Sequence, residues 1–570
     1  MTPGQQADAA LDESEAAPAR KLLAADAAVE ARARQGVTHA FGVPGTTTMH
    51  LLDALAQQQA VRYISTRHEQ VAGFMADGFA RAAGRPAVCM ASRGPGAANL
   101  TIAMHNAFAE SVPVLALIGQ VDDEIVYRES FEELDMVDFF RPVTKWALEI
   151  HDHRRVPELV QRAAHATTAG RPRPVMVSIP LDVQTRPLAE PAYREDFVVA
   201  PPVPAAPELE RAAQLLSGAR RPLIIVGGGA ERADAAHAVA DLAEALDAPV
   251  AATWLRKSAF PDSNEAFIGC LGFGALAVTE QAFREADVVL ALGARFSQFT
   301  TRRYTLPPAG CELIQVDLDA EELGRVYAPA VALHGDAGAT AAALAELVDA
   351  APDEERRASR EELRATYRSE SVLPDVRSTG YGVGSAAVVA ALSQARDVHD
   401  PIFVSDAPTF SAWLQRYMPV DRPGSFMGNA GGSMGWGLPA ALGVKLARPE
   451  EPVVCVIGDG SFWMVAQDIE TAVREDIPIV VVVTNNFAYG NTRDRQRADH
   501  DGRLIGVHYD NPDFAAFARL CGAVGERVDR DEDVAGAIDR ALKSGRPTIV
   551  DVIQDRDEGL PPGARPPGRS

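Results

Sequence analysis

Short apolar runs alternate with stretches of helical length through most of this 570-residue chain. Examples are VCMAS, VLALIGQ and VMVSIP in the first third, PLIIVGGG, DVVLALG and LIQVDL in the middle, and VVCVI and IPIVVVV in the last third. Apolar strands separated by helices are typical of parallel sheets that are covered on both faces. The pattern predicts an α/β protein of three domains, each with a mainly parallel sheet flanked by helices.

Domain boundaries follow from changes in composition. We place an N-terminal domain at 21–185, a central domain at 206–350 and a C-terminal domain at 381–556. A Pro-rich linker follows the first domain, and a charged helical stretch, PDEERRASREELRATYRSE, follows the second. Residues 1–20 and 557–570 are predicted to be disordered tails, and the first of these lacks the basic and apolar regions of a signal peptide.

Charge, hydropathy and cysteine content limit the partners and the compartment. The net charge of −23 and the isoelectric point near 5.0 argue against nucleic acid, because phosphate binding is mainly electrostatic. No run of eighteen uncharged apolar residues occurs, so no membrane span is expected. The five cysteines are scattered without CxxC spacing, which favours reduced thiols in a cytoplasmic protein.

Two apolar runs in the last third of the chain are followed by polar residues, a carboxylate after the first and two amides after the second. Gly-Asp-Gly follows the first and Asn-Asn the second, with Asp459 and Asn486 27 positions apart. Ligands bind beyond the carboxyl ends of parallel strands, which lie ~4.8 Å apart, so these side chains can converge. A carboxylate and an amide suit Mg²⁺ that already carries phosphate oxygens, and the N–H groups of Gly460 and Ser461 would face a diphosphate. The alternative is a helix N-cap and an Asn turn, but the two halves together favour the metal site.

Two further stretches have a residue suited to chemistry beside a structural alternative. Glu69 stands at a strand-to-helix junction in YISTRHEQVAGFMADGFARAAG, where the helix dipole alone would favour a carboxylate. Met434 lies among glycines in GNAGGSMGWGLPAALG, where ordinary core packing is the alternative. The glycines 227–229 after PLIIV predict a structural turn; an adenine-type ligand such as FAD stays open there without a recognisable motif to support it.

The stretch GDGSFWMVAQDIETAVREDIPIVVVVTNN resembles the thiamine diphosphate motif, which begins Gly-Asp-Gly and ends Asn-Asn. From 21 to 556 the chain resembles the acetolactate synthase-like superfamily, which includes benzoylformate decarboxylase, glyoxylate carboligase and sulfoacetaldehyde acetyltransferase. The resemblance implies the thiamine diphosphate-binding fold. It also implies that Asp459, Asn486 and the backbone carbonyl of Ala488 bind Mg²⁺, and that Gly460 and Ser461 contact the diphosphate.

The same resemblance assigns the groups that act on the cofactor. Glu69, in the His-Glu context of the family, is the acid that supports the imino form of the aminopyrimidine ring, which a partly dry site favours by raising its pKa. Met434 is the apolar wedge beneath the two cofactor rings. The carbonyl of Gly432 accepts a hydrogen bond from the 4′-amino group.

Three more residues are assigned by the resemblance alone. Gln120, at the end of ALIGQ, would line the reaction cavity, with a strand-end cap as an equal alternative. Ala407 and Thr409 fall where relatives supply further diphosphate contacts.

The chain departs from biosynthetic acetolactate synthases at positions that concern the acceptor. Leu181 replaces the lysine of Ile-Pro-Lys-Asp, and Phe299 replaces the second arginine of Arg-Phe-Asp-Asp-Arg. A cation that holds a substrate carboxylate contributes strongly in a dry pocket, so a dedicated role in branched-chain amino-acid synthesis is not expected. Arg302 or Arg303 is a candidate substitute. CMASRGPGAAN also lacks the histidine of benzoylformate decarboxylases.

The resemblance implies thiamine diphosphate- and Mg-dependent decarboxylation of a small-molecule 2-oxo acid, with protonation of the resulting enamine or its carboligation to an acceptor carbonyl. One alternative is a C–C bond lyase or hydrolase acting on an acyloin or diketone with the same cofactor. The other is a non-catalytic relative that keeps the fold. Because the glutamate-bearing domain of one subunit faces the diphosphate domain of another in this superfamily, at least a homodimer is expected, and most often a homotetramer.

Overall fold

A computed structural model describes residues 21–195, 197, 199–349, 353–375, 381–406 and 408–564. These residues form three six-stranded sheets, and within each sheet the neighbouring strands run parallel. Helices flank each sheet. The predicted α/β fold of three parallel-sheet domains is confirmed, and each sheet lies within one of the three predicted domain ranges.

The N-terminal domain has strand order β2-β1-β3-β4-β6-β5. Its strands are β1 His39–Gly42, β2 Arg62–Ser65, β3 Ala87–Ala91, β4 Val114–Gln120, β5 Trp146–Glu149 and β6 Val175–Pro180. Its helices are α1 Ala24–Arg34, α2 Met49–Ala56, α3 Glu69–Ala83, α4 Pro95–Glu110, α5 Met136–Phe140, α6 Val156–Thr168 and α7 Leu181–Thr185.

The central domain has strand order β12-β11-β10-β7-β8-β9. Its strands are β7 Pro222–Val226, β8 Val250–Ala252, β9 Phe267–Cys270, β10 Val288–Leu292, β11 Glu312–Asp317 and β12 Val331–His334. Its helices are α8 Ala206–Gly218, α9 Gly228–Arg232, α10 Ala236–Ala245, α11 Ala277–Glu285 and α12 Ala337–Leu347. The charged stretch that follows is α13, Glu354–Glu370.

The C-terminal domain has strand order β14-β13-β15-β16-β18-β17, which repeats the order of the first domain strand for strand. Its strands are β13 Ile402–Ser405, β14 Phe426–Gly428, β15 Val453–Gly458, β16 Val480–Asn485, β17 Val524–Val528 and β18 Thr548–Ile553. Its helices are α14 Ser385–His399, α15 Pro408–Tyr417, α16 Gly437–Ala447, α17 Asp459–Trp463, α18 Ile469–Arg474, α19 Gly490–Asp499, α20 Phe514–Leu520 and α21 Asp531–Lys543.

The first and last domains share one hydrophobic core, in which α3 packs directly on α16. Two glycines permit this approach. A Cβ on Gly78 would lie 2.2 Å from the Ala440 carbonyl oxygen, and a Cβ on Gly443 would lie 2.1 Å from that of Met75. The helix that begins at Glu69 is therefore in backbone contact with the C-terminal domain of its own chain.

The C-terminal segment differs from its prediction as a disordered tail. Within 557–564, the Gly559 carbonyl accepts a hydrogen bond from Trp413 Nε1 at 3.1 Å, and the Pro562 carbonyl accepts one from Arg416 at 2.6 Å. These residues pack because two side chains of α15 bind their backbone. Residues 1–20 and 565–570 lie outside the described residues.

Two predictions from composition can be checked in the fold. All five cysteines are free thiols, and three of them are buried. In the part of the chain that the structure describes, no helix has the length and apolar character needed to cross a membrane.

Candidate functional site

The predicted strand-end residues meet at the carboxyl edge of the C-terminal sheet. β15 and β16 are adjacent and parallel, with Gly458 opposite Thr484 at their ends. A cavity of about 140 Å³ opens there. Seven of the predicted residues line it: Thr409, Met434, Asp459, Gly460, Ser461, Asn486 and Ala488. The structure thus brings together side chains that are far apart in the sequence.

Asp459 is the carboxylate of this cavity. It is only 2% exposed, and it accepts hydrogen bonds from the Gly460 N–H at 3.0 Å and from Asn511 Nδ2 at 2.8 Å. Burial raises the pKa of Asp459 to about 6. Among the described residues no Lys, Arg or His forms an ion pair with it. A buried carboxylate without a cation is costly, so this site favours a metal ion.

The two neighbouring asparagines have different roles. Asn485 is fully buried, where its Nδ2 donates to Asp551 at 2.9 Å and its Oδ1 accepts from Asn511 at 2.9 Å. Asn486 faces the cavity, and its Oδ1 accepts from the Ala488 N–H at 3.2 Å. The first asparagine therefore braces the strand end, and the second presents its amide to the cavity.

Gly460 forms a close-fitting wall of the same cavity. A Cβ at this position would lie 2.7 Å from Cε1 of Tyr489 and 2.8 Å from the hydroxyl oxygen of Tyr509. Only glycine leaves room there, and its backbone stays open to a ligand. With the oxygens of Asp459, Asn486 and Ala488, this donor set fits a Mg²⁺ ion that carries diphosphate.

The loop with Met434 borders the other side of the cavity. Gly432 and Gly435 have φ of +78° and +84°, in the region that favours glycine. Met434 lies between these two glycines and lines the cavity, as does Thr409 of α15. Ala407 lies outside the described residues.

Glu69 is the first residue of α3 and is held at a well-defined junction. His68 accepts a hydrogen bond from the Gln70 N–H at 3.1 Å and so caps the helix. Asn99 Nδ2 donates to Glu69 Oε2 at 3.0 Å, and a Cβ on Gly96 would lie 3.0 Å from the other carboxylate oxygen. Glu69 does not line the cavity that holds Asp459 of the same chain.

Gln120 ends β4 in a closed arrangement. It is 2% exposed; its Nε2 donates to the Leu134 carbonyl at 2.8 Å and its Oε1 accepts from the Val121 N–H at 3.0 Å. This arrangement is the strand-end cap that the sequence offered as the alternative for Gln120. A part for Gln120 in the reaction stays a prediction.

The glycines after β7 have a packing reason. A Cβ on Gly227 would lie 2.3 Å from the Gly293 carbonyl oxygen, so the predicted structural turn is required by close approach of two loops. Gly228 and Gly229 also line a second cavity of about 170 Å³ between the first two domains. Its cationic lining consists of Arg171, Arg232, Arg256 and Arg295. A ligand of the adenine type there stays a prediction.

The proposed substitute cation, Arg302, points elsewhere. Its guanidinium donates to Glu280 at 2.6 Å, and it lines a separate cavity between the central domain and the C-terminal segment. Phe299 packs against Trp254 with ring centroids 4.3 Å apart and an angle of 42° between the ring planes. The structure therefore does not support Arg302 as a cation for a substrate carboxylate beside Met434.

Sequence reasoning missed residues that hold the site from a distance. Asn511 bonds both Asp459 and Asn485, and Tyr489 and Tyr509 enclose Gly460. Asn511 lies 25 positions after Asn486 in HYDNPDF, a loop without periodicity. No local signal marks it, because its role exists only once that loop has folded back onto the strand ends.

Comparison with known proteins agrees with this geometry. Residues 23–139 match the N-terminal TPP binding domain, 209–344 the central domain and 406–552 the C-terminal TPP binding domain of thiamine pyrophosphate enzymes. The chain belongs to this family, and within it to the acetolactate synthase-like group.

Individual relatives align over nearly the whole chain. The chain is 31% identical to a probable acetolactate synthase large subunit of Methanocaldococcus jannaschii, over 95% of this chain and 94% of that protein. It is 32% identical to the acetolactate synthase isozyme 2 large subunit of Escherichia coli, over 94% and 97%. A solved structure, the thiamine diphosphate-dependent 4-hydroxybenzoylformate decarboxylase of Rhodococcus jostii RHA1, superposes with a TM-score of 0.82 at 25% identity, over 94% of this chain and all of that one.

Proposed function

We propose that the protein is a thiamine diphosphate- and Mg²⁺-dependent enzyme that decarboxylates a 2-oxo acid and then protonates the product or joins it to an acceptor carbonyl. The observation that carries this proposal is the convergence of Asp459, Asn486, Ala488 and Met434 on one cavity. The names of the relatives, acetolactate synthases and a decarboxylase, support the reaction class. Decarboxylation is common to both kinds of relative, whereas carboligation is the finer part of the proposal.

The C-terminal domain supplies the binding groups. Asp459, Asn486 and the Ala488 carbonyl would hold Mg²⁺, and the backbone of Gly460 and Ser461 would bind the diphosphate. Thiamine diphosphate, when bound, supplies a carbon nucleophile and accepts the electrons released as CO₂ leaves. The buried carboxylate of Asp459 suits the metal because, within the described residues, no protein cation is paired with it.

The N-terminal domain supplies the acid. Glu69 would hold a proton at its carboxyl group and exchange it with the aminopyrimidine ring. Because Glu69 lies outside the cavity of its own chain, we propose that it serves the cavity of a second copy, in a homodimer that can pair into a homotetramer. Trp463, the last residue of α17, and Met464, which follows it, are each 43% exposed and would be covered by such a partner. We place this assembly in the cytoplasm.

The test is an assay with added cofactors. The protein is incubated with thiamine diphosphate and Mg²⁺, and CO₂ release is followed with pyruvate, glyoxylate, benzoylformate and sulfoacetaldehyde. We expect turnover that falls by about a hundredfold or more in Glu69→Gln, because a positioned acid contributes 10²–10⁴-fold. Glu361→Gln on the exposed surface of α13 is the matched control and should keep full activity.

Other outcomes would replace this proposal. Cleavage of acyloins or diketones without turnover of any oxo acid would assign a C–C lyase or hydrolase. Absence of cofactor binding, measured by quenching of tryptophan fluorescence, would assign a non-catalytic relative.

A further inference from the structure

The loop between β14 and α16 carries two groups with a proposed role at the cofactor, the Gly432 carbonyl and the Met434 side chain. Three of its residues are glycines, Gly431, Gly432 and Gly435, and the last two adopt positive φ. Glycine loses more conformational freedom on folding than any other residue. A loop of this composition needs contacts from outside if Met434 is to keep one position.

Asp406, directly after β13, supplies one such contact. It is 5% exposed, and its Oδ2 accepts hydrogen bonds from the Gly435 N–H at 2.9 Å and the Gly437 N–H at 3.0 Å. The contact is close, since a Cβ on Gly437 would lie 2.6 Å from the Asp406 Cβ. The loop after Met434 therefore rests directly on this carboxylate.

Asn429 supplies the contact on the other side. It is 7% exposed, its Nδ2 donates to the Ser433 carbonyl at 2.7 Å, and its amide is close enough to Asp406 to stabilise the charged carboxylate. The peptide before Met434 is bonded through its carbonyl and the peptide after it through its N–H. The two side chains thus hold both peptides that flank Met434.

The groups that act on the pKa of Asp406 agree with a carboxylate that accepts hydrogen bonds. Burial raises the pKa of Asp406 to about 7, and the N–H donors of Gly437 and Gly435 and the amide of Asn429 act in the opposite direction by stabilising the charged form. Cys455 of β15 faces the same carboxylate, and burial, then the charge of Asp406, raises the pKa of its thiol. Within the described ranges, no cation forms an ion pair with Asp406.

We propose that Asp406 and Asn429 are positioning residues that hold Met434 and the Gly432 carbonyl in place for the cofactor. The positioning role rests on the proposed function. The contacts of Asp406 and Asn429 with the loop, here called the clamp, are present in the chain without cofactor. Neither residue lines the cavity of Asp459, so the pair acts through the loop and not by contact with the diphosphate.

The first measurement is hydrogen–deuterium exchange of the cofactor-free protein, read by mass spectrometry on peptides that cover 429–437. In Asp406→Ala and in Asn429→Ala we expect exchange in this loop to become about tenfold faster or more, because each variant removes hydrogen bonds that limit local opening. The matched control is Asp262→Ala, which removes a carboxylate of the central domain bonded to Tyr367 at 2.8 Å. That variant should leave exchange in 429–437 unchanged.

The second measurement separates positioning from binding. With thiamine diphosphate and Mg²⁺ added, the cofactor dissociation constant should change by less than about threefold, since the metal ligands are untouched. Exchange of the cofactor's C2 proton, followed by NMR after acid quench, should fall by about tenfold or more, because small displacements of a positioned group are costly. A KM for substrate that stays constant while kcat falls would support the same conclusion.

Each failure has a distinct meaning. Unchanged loop exchange in both variants would refute the clamp, and if Asp406→Ala does not fold, Asn429→Ala decides. A loosened loop with C2 exchange within about twofold of the unaltered protein would refute the positioning role. Absence of cofactor binding by the unaltered protein would instead refute the proposed function, and the positioning role with it, whatever the loop exchange shows.

Discussion

Asp459 combines two properties that seldom coexist in a protein interior. It is almost fully buried, yet its hydrogen-bond donors, which include the Gly460 N–H and the Asn511 amide, are neutral groups, and within the described residues it forms no ion pair. Its pKa, raised by burial to about 6, marks the charged form as disfavoured in the cofactor-free chain. A divalent cation would reverse this preference, because a metal ligand must be deprotonated. Asp459 is therefore suited to binding a metal ion and not to stabilising the cofactor-free protein.

The raised pKa of Asp459 predicts how cofactor affinity depends on pH. Affinity for thiamine diphosphate with Mg²⁺ should be steady above pH 6 and fall by about tenfold per pH unit below it, as the carboxylate takes up a proton that competes with the metal. The contribution of Asp459 to the free energy of unfolding changes with pH in the opposite direction. Because its pKa is raised, that contribution is full at low pH and is lost as pH rises through about 6.

Fluorescence titrations of cofactor between pH 5 and 8 would measure this dependence. Asp459→Asn is the control: its binding should be weak throughout and show no slope of this origin. An affinity of the unaltered protein that stays constant from pH 8 to pH 5 would count against Asp459 as a ligand.

At the scale of elements, two helices determine how the N-terminal and C-terminal domains meet. α3 carries Glu69 at its start, and α16 follows the Met434 loop. They touch at backbone distance through Gly78 and Gly443, and Trp436 Nε1 donates to buried Asp77 of α3 at 3.0 Å. The distance between Glu69 and the Met434 loop within one chain therefore depends on how α3 packs against α16.

A methyl group at Gly78 should disrupt that packing. In Gly78→Ala the new Cβ would lie 2.2 Å from the Ala440 carbonyl oxygen, a backbone atom that cannot move aside, so we expect a loss of about 3 kcal/mol or more in unfolding free energy. Urea unfolding followed by circular dichroism would measure it.

Gly218→Ala provides the comparison. Gly218 is also helical, at the end of α8, but a Cβ there meets no atom of the described residues within 4 Å. Alanine has the higher helix propensity, so this variant should be neutral or more stable by up to about 1 kcal/mol. Equal stability changes in the two variants would show that the α3–α16 contact is not as tight as described.

At the scale of the whole molecule, one chain contains both halves of the proposed site in places that do not meet. Asp468 of the C-terminal domain accepts a hydrogen bond from the Arg67 N–H at 2.9 Å, so the turn before Glu69 is held against its own C-terminal domain. The cavity of Asp459 opens elsewhere on that domain. We propose that two copies related by a twofold axis bring each Glu69 to the other copy's cavity.

Mixing two inactive variants tests this arrangement. Glu69→Gln and Asp459→Asn should each be inactive alone. If Glu69 serves the partner, a mixed dimer has one site with both residues intact, and random exchange of subunits should restore about a quarter of the unaltered activity. Sites complete within one chain would restore none. The assay is CO₂ release after the two proteins are unfolded and refolded together, with each variant refolded alone as the control.

Much of the fold followed from local pattern. The alternation of apolar runs and helices predicted three parallel-sheet domains, and the polar residues after two neighbouring runs predicted that Asp459 and Asn486 would share a cavity. Both inferences depend only on residues near each other along the chain and on the rule that parallel strands end at one edge. The glycine turn after β7 was predicted because a turn that follows a strand favours glycine.

Only the tertiary structure shows the contacts between segments that are far apart in the sequence. Asn511 reaches Asp459 across 52 positions, Asp406 holds a loop 29 positions away, and Trp413 binds the segment that was predicted to be a disordered tail. Gln120 likewise donates a hydrogen bond to Leu134, 14 positions away. A side chain's partners in these cases are set by how sheets and loops pack, and packing brings together residues whose identities leave no periodic trace in the sequence.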